Sequence, residues 1–68
     1  MNRQYKVNIF DGQTGKAIKG GIFKTFDNAY DYMDLNRIEG AKIEFINGPA
    51  DRPEGSFFKV INKQLVRV

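Results

Sequence analysis

Residues 17–36 read AIKGGIFKTFDNAYDYMDLN, and a change of period inside this stretch decides the fold class. Up to Lys24 the pattern is that of an extended chain, with Gly20-Gly21 in its middle. From Thr25 onward Phe26, Ala29, Tyr30 and Met33 recur at three and four residues, which places them on one helical face. Thr25 or Asp27 would cap the start. Thr25 is the better candidate, because it sets Phe26 at the first helical position and Asp27 in the first turn, where a carboxylate favours the positive end of the dipole. The helix should stop near Asn36 and be closed off by Gly40.

Upstream, Gln4–Phe10 alternates Tyr5, Val7 and Ile9 with Lys6, Asn8 and Phe10, the pattern of a half-buried strand. Asp11-Gly12-Gln13-Thr14-Gly15-Lys16 is a cluster of turn formers, so residues 17–24 should return as the partner of a hairpin. Glycine inside a strand marks a bulge or a close backbone approach, and the register here has two solutions. Either Ile18 and Ile22 face the core, or a bulge brings Phe23 inward instead.

Downstream, Ala41–Ile46 alternates Ala41, Ile43 and Phe45 with Lys42, Glu44 and Ile46, and should end at Asn47-Gly48-Pro49. A loop over residues 47–55 contains both prolines. Ser56–Ile61 and Leu65–Val68 then read as a final hairpin around Asn62-Lys63. The order is β-β-α-β-β-β. With one helix, only one face of a sheet can be covered, so the expected class is α+β: a small two-layer domain, a mostly antiparallel sheet with one helix packed on one face.

A chain of 68 residues has room for one core, so residues 1–68 should form a single domain. There is no cysteine and no histidine, which excludes a disulfide framework, a thiolate metal site and a conventional structural zinc site. No cofactor or metal is expected. No apolar run has the length of a signal peptide or a membrane span, so the chain reads as a cytoplasmic domain with no membrane partner.

The net charge of +3 is modest, but its distribution is uneven. Residues 1–26 carry five basic side chains against Asp11, a net +4; residues 27–54 carry three against seven acidic ones, a net −4; residues 55–68 add +3. A basic, acidic, basic order predicts a dipolar surface.

Few residues offer chemistry. Gly12-Gln13-Thr14-Gly15-Lys16 resembles a phosphate-binding loop but has two residues between its glycines instead of four, and a strand where that loop needs a helix, so it reads as a hairpin turn with an exposed lysine. Ser56 is the only serine and has neither a histidine nor a nucleophile-elbow context. No pair of groups suited to acid–base work is recognisable, and the domain should not be an enzyme. Asp27, Asp31 and Asp34 line one flank of the helix, too few ligands for a hard cation, and read as a solvated face or a contact surface for protein.

The outward face of the sheet is the remaining signal. It should carry Lys6, Asn8 and Phe10 from the first strand and Lys19 from the second, with either Phe57, Lys59 and Ile61 or Phe58 and Val60 from the final hairpin. The leading expectation is a non-catalytic protein-binding domain using Lys6, Phe10, Lys19 and Lys59 on the sheet and Asp27, Asp31 and Asp34 on the helix. Self-association is another way to cover an apolar sheet face, so a homo-oligomer is a second possible partner state. The alternative function is a nucleic-acid-binding module with Lys6, Phe10, Lys19, Lys24, Lys59 and Arg67 as contacts, since bases stack on rings while cations meet phosphates.

In length, absence of Cys and His, and hairpin-helix-strand order, the chain resembles the small proteins that phages and mobile elements encode to bind and inhibit host machinery. That resemblance implies action by binding and assigns no site.

Overall fold

The computed structural model describes residues 3–49 and 51–68. Strands β1 (Arg3–Phe10), β2 (Ala17–Phe23), β3 (Lys42–Pro49), β4 (Glu54–Ile61) and β5 (Gln64–Arg67) form one antiparallel sheet in the order β2-β1-β3-β4-β5. Helix α1 (Phe26–Leu35) lies on one face, over β1 and β2. The expected two-layer α+β architecture and element order are those observed.

A helix of ten residues is marginal in water on its own, so its ends and its packing decide whether it forms. Thr25 is the N-cap: its hydroxyl accepts from the Asn28 N–H at 3.2 Å, and Asp27 sits in the first turn. At the other end Asn36 is the C-cap and donates its side-chain amide to the Tyr32 carbonyl at 2.7 Å. Gly40 therefore does not close the helix. It lies in the connection to β3 with φ +82°, and its N–H donates to the Val60 carbonyl at 3.0 Å.

The core is Val7, Ile9, Ala29, Met33, Ala41, Ile43, Phe45 and Val60, all buried. Burying each larger aliphatic or aromatic side chain contributes roughly 1.5–3 kcal/mol. Only Ala29 and Met33 represent the helix in it. Phe26 and Tyr30, which the helical spacing put on the same face, remain about half exposed because they pack at the margin: Phe26 meets Tyr5 and Phe45 edge-on at 6.1 and 5.7 Å. Tyr32 closes the opposite margin, 5.1 Å from the Phe23 ring.

The register of β2 settles the Gly20-Gly21 question. Tyr5 pairs with Phe23, Val7 with Gly21 and Asn8 with Gly20, while the register shifts between Ile9 and Phe10 so that Ile18 is the extra residue. Phe23 thus turns inward, and Ile22 lies on the outer face opposite Lys6. The bulge falls beside the glycines, not on them. A Cβ on Gly21 would lie 3.0 Å from the Phe23 ring, and one on Gly20 would lie 2.7 Å from the Asn8 side-chain oxygen. Each glycine therefore makes room on one face of the sheet.

The strand boundaries shift by one residue at several ends, and most at the β3–β4 connection. β3 runs through Asn47 and Gly48 instead of ending there, and Glu54 and Gly55 pair with Asn47 and Ile46, so most of the expected 47–55 loop is ladder. Positive φ at Gly48 (113°) lets the strand continue where a side chain would strain it. Ala50, inside that expected loop, lies outside the described residues. The final hairpin forms around Asn62-Lys63, with both residues at positive φ (53° and 60°), the geometry of a two-residue type I′ turn.

Candidate interaction face

Residues directly opposite in a ladder share a face, so the registers assign every strand side chain to the helix side or the outer side. On the outer side three rows cross the sheet. Ala17, Phe10, Lys42, Lys59 and Val66 form one. Gly20, Asn8, Glu44 and Phe57 form the next, and Ile22, Lys6, Ile46 and Gly55 the third. Ile61 extends this face at the β4–β5 turn, paired with Gln64. No helix covers it.

Local contacts order its centre. Lys42 Nζ lies over the Phe57 ring, 4.7 Å from its centroid, and the Asn8 amide donates to Glu44 Oε1 at 3.1 Å. Gly20 is what lets Asn8 lie flat enough to do so, since a Cβ there would meet the Asn8 side chain. The one outer-face carboxylate of the three rows is thus engaged by an amide, leaving Lys6, Lys42 and Lys59 to set the sign of the face.

Beside this centre the β1–β2 turn rises to form a cleft of about 560 Å³, lined by Phe10, residues 11–15, Lys42, Glu44 and Phe57. Most of its backbone donors are used internally. Asp11 Oδ1 accepts from Gln13 and Thr14 N–H at 2.7 and 3.1 Å, the Asp11 carbonyl accepts from Gly15 N–H at 2.8 Å, and the Thr14 hydroxyl accepts from Lys16 N–H at 3.3 Å. The turn is therefore a closed Asx-type loop and not a phosphate cradle. The cleft offers two aromatic walls and the charged side chains of Asp11, Lys42 and Glu44.

The expected site residues divide between the two faces. Lys6, Phe10 and Lys59 come together on the outer side, joined by Lys42 and Phe57. Lys19 does not join them: it pairs with Ile9, which is buried on the helix side, and so it projects from the opposite face. Arg67 pairs with Phe58 and also belongs to the helix side. Both corrections have one cause, the registers of β2 and β5 relative to their neighbours, which alternation within a strand does not contain. Lys24 is exposed in the bend between β2 and α1.

On the helix, Asp27 and Asp31 are exposed and line a shallow groove with Phe26 and Tyr30. Asp34 is separate in role, because it forms an ion pair with Arg37, whose other terminal nitrogen donates to the Lys63 carbonyl at 3.1 Å. Lys42 is one of the contributors beyond the expected site residues, with Phe57, Ile22, Ile46 and Val66. Its signal was its outward place in the alternation of β3, and its significance depends on Phe57 being beside it across the ladder.

Among the described residues no helix is long and apolar enough to cross a membrane, and no three acidic side chains gather as a metal site. Compared with models of protein families, with curated proteins and with solved structures, the chain matches none.

Proposed function

We infer that this is a non-catalytic binding module of the cytosol that works by contact with another protein through the outer face of its sheet. The observation that carries the reading is the uncovered row of apolar side chains on that face. Phe10, Phe57, Ile22, Ile46, Ile61 and Val66 lie there among Lys6, Lys42 and Lys59, and four of the six are well exposed. Exposed apolar side chains gathered on one face and interspersed with cations are the mark of an interaction surface on a small domain. Apolar area supplies affinity once a partner excludes water, while the lysines orient its approach.

Nucleic acid is the less favoured occupant. Stacking needs rings, and on this face the aliphatic side chains Ile22, Ile46, Ile61 and Val66 outnumber Phe10 and Phe57. Two of the cations that reading needs, Lys19 and Arg67, project from the other face. An inhibitor of the phage-encoded type would act in the favoured way, by occupying a partner's surface.

A benzophenone side chain placed at position 57, with position 51 as a control, tests this by photocrosslinking in cell extract. Position 57 is expected to capture a discrete polypeptide that position 51 does not, and the product should disappear when Lys6 and Lys59 are changed to Glu. Equal labelling from both positions would sink the reading. Salt-sensitive binding of single-stranded DNA or RNA, measured by fluorescence anisotropy, would transfer it to nucleic acid.

A further inference from the structure

The sheet is covered by a helix on one face only, whereas helices on both faces of a sheet give a complete three-layer packing. What fits the open side is an amphipathic helix with exposed rings and negative charge. The domain carries one. Along the core margin of α1, Phe26 and Tyr30 stack with ring centroids 6.1 Å apart, each with about half of its surface exposed, and Asp27 and Asp31 border them on the solvent side. Among the described residues neither aspartate enters an ion pair.

The geometry points to a second copy of this chain as an occupant of the outer face, docked by its helix: α1 of one copy lies across β1, β3 and β4 of the next. This deepens the reading above and rests on it. Charge and spacing both match. Asp27 and Asp31 are one helical turn apart, about 6 Å, and Lys42 and Lys59 are cross-strand neighbours about 5 Å apart, so two carboxylates meet two ammonium groups. Phe26 and Tyr30 then pack against the outer-face apolar residues around Phe57. A two-fold pairing of sheet face on sheet face is disfavoured, because it sets Lys6, Lys42 and Lys59 against themselves. Helix on sheet is a heterologous contact, so it builds a ring or an open stack of more than two copies instead of a two-fold dimer.

Sedimentation velocity of the whole chain, from micromolar to near-millimolar concentration and at low and high salt, tests this. The expected mass rises with concentration beyond twice the 7.8 kDa monomer, and added salt lowers it. Changing Lys42 and Lys59 to Glu, or Asp27 and Asp31 to Lys, should each weaken association by roughly tenfold or more. Mixing the two variants should restore it, since each then meets opposite charge; circular dichroism confirms that both are folded. A wild-type chain that stays monomeric throughout overturns the inference and leaves the sheet face open to a different protein. Undiminished association of the Asp27→Lys/Asp31→Lys variant overturns it in favour of sheet-on-sheet contact. Loss of the position-57 crosslink specificity would instead remove the sheet-face reading itself.

Discussion

Glu39 holds the backbone of Lys63: one carboxylate oxygen accepts the Lys63 N–H at 2.9 Å and the other accepts the Asn62 N–H at 3.1 Å. A side chain in the helix–β3 connection thereby fastens the β4–β5 turn, and Arg37 reinforces the tie through the Lys63 carbonyl. The anchor is exposed to solvent, so each bond is weaker than it would be in the interior.

Glu39→Ala is expected to destabilise the domain by about 1 kcal/mol. In a domain of this size that lowers the thermal midpoint by roughly 4–8 °C. Glu39→Gln should recover part of the loss, because its amide oxygen can still accept from one donor. Thermal unfolding followed by circular dichroism measures both; an unchanged midpoint for the alanine variant would mean that the turn holds without this anchor.

Lys63→Gly should stabilise. Lys63 sits at φ 60°, a conformation that costs an L-residue free energy and glycine almost none. Its contacts to Glu39 and Arg37 use backbone atoms, which the substitution keeps. A gain of about 0.5–1 kcal/mol in urea unfolding is expected, and a loss would show that the lysine side chain contributes something the hairpin geometry does not require.

Gly12 and Gly15 should differ sharply although both lie in the same turn. A Cβ on Gly12 would fall 1.8 Å from the Gly40 carbonyl oxygen, so Gly12→Ala forces the β1–β2 turn off the helix–β3 connection. Its cost is expected at about 2 kcal/mol or more. Gly15 has open space around it and φ +74°, so Gly15→Ala pays only the backbone term of about 1 kcal/mol. Equal costs would contradict this packing of turn on connection.

Phe57 and Phe58 are neighbours in sequence on opposite sides of the sheet. Phe58 packs against the core, and Phe58→Ala should cost roughly 2–4 kcal/mol. Phe57 lies outside it, 39% exposed, and Phe57→Ala should cost less than about 1 kcal/mol while abolishing contact through the outer face. Parallel denaturation and binding measurements separate the two effects. A severe stability loss at Phe57 would assign it to the core instead.

Much of this domain was legible without coordinates, where the deciding interactions are local. The Thr25 cap, the helix spacing, the inward Tyr5, Val7 and Ile9, and the Asn62-Lys63 turn all follow from residues within a few positions of one another. Alternation also determines which side chains of one strand share a face. It says nothing of how one strand's faces align with the next, because a slip of one residue exchanges them. The bulge at Ile18 is such a slip, and with the β4–β5 register it sends Lys19 and Arg67 away from Lys6 and Lys59. The same ladders bring Lys42 beside Phe57, and chain reversal brings Glu39 to a turn 24 residues away. Local propensity carries no signal for such meetings. The residues present, and most of their elements, were decided by sequence; which of them share a surface was decided by the registers of the folded sheet.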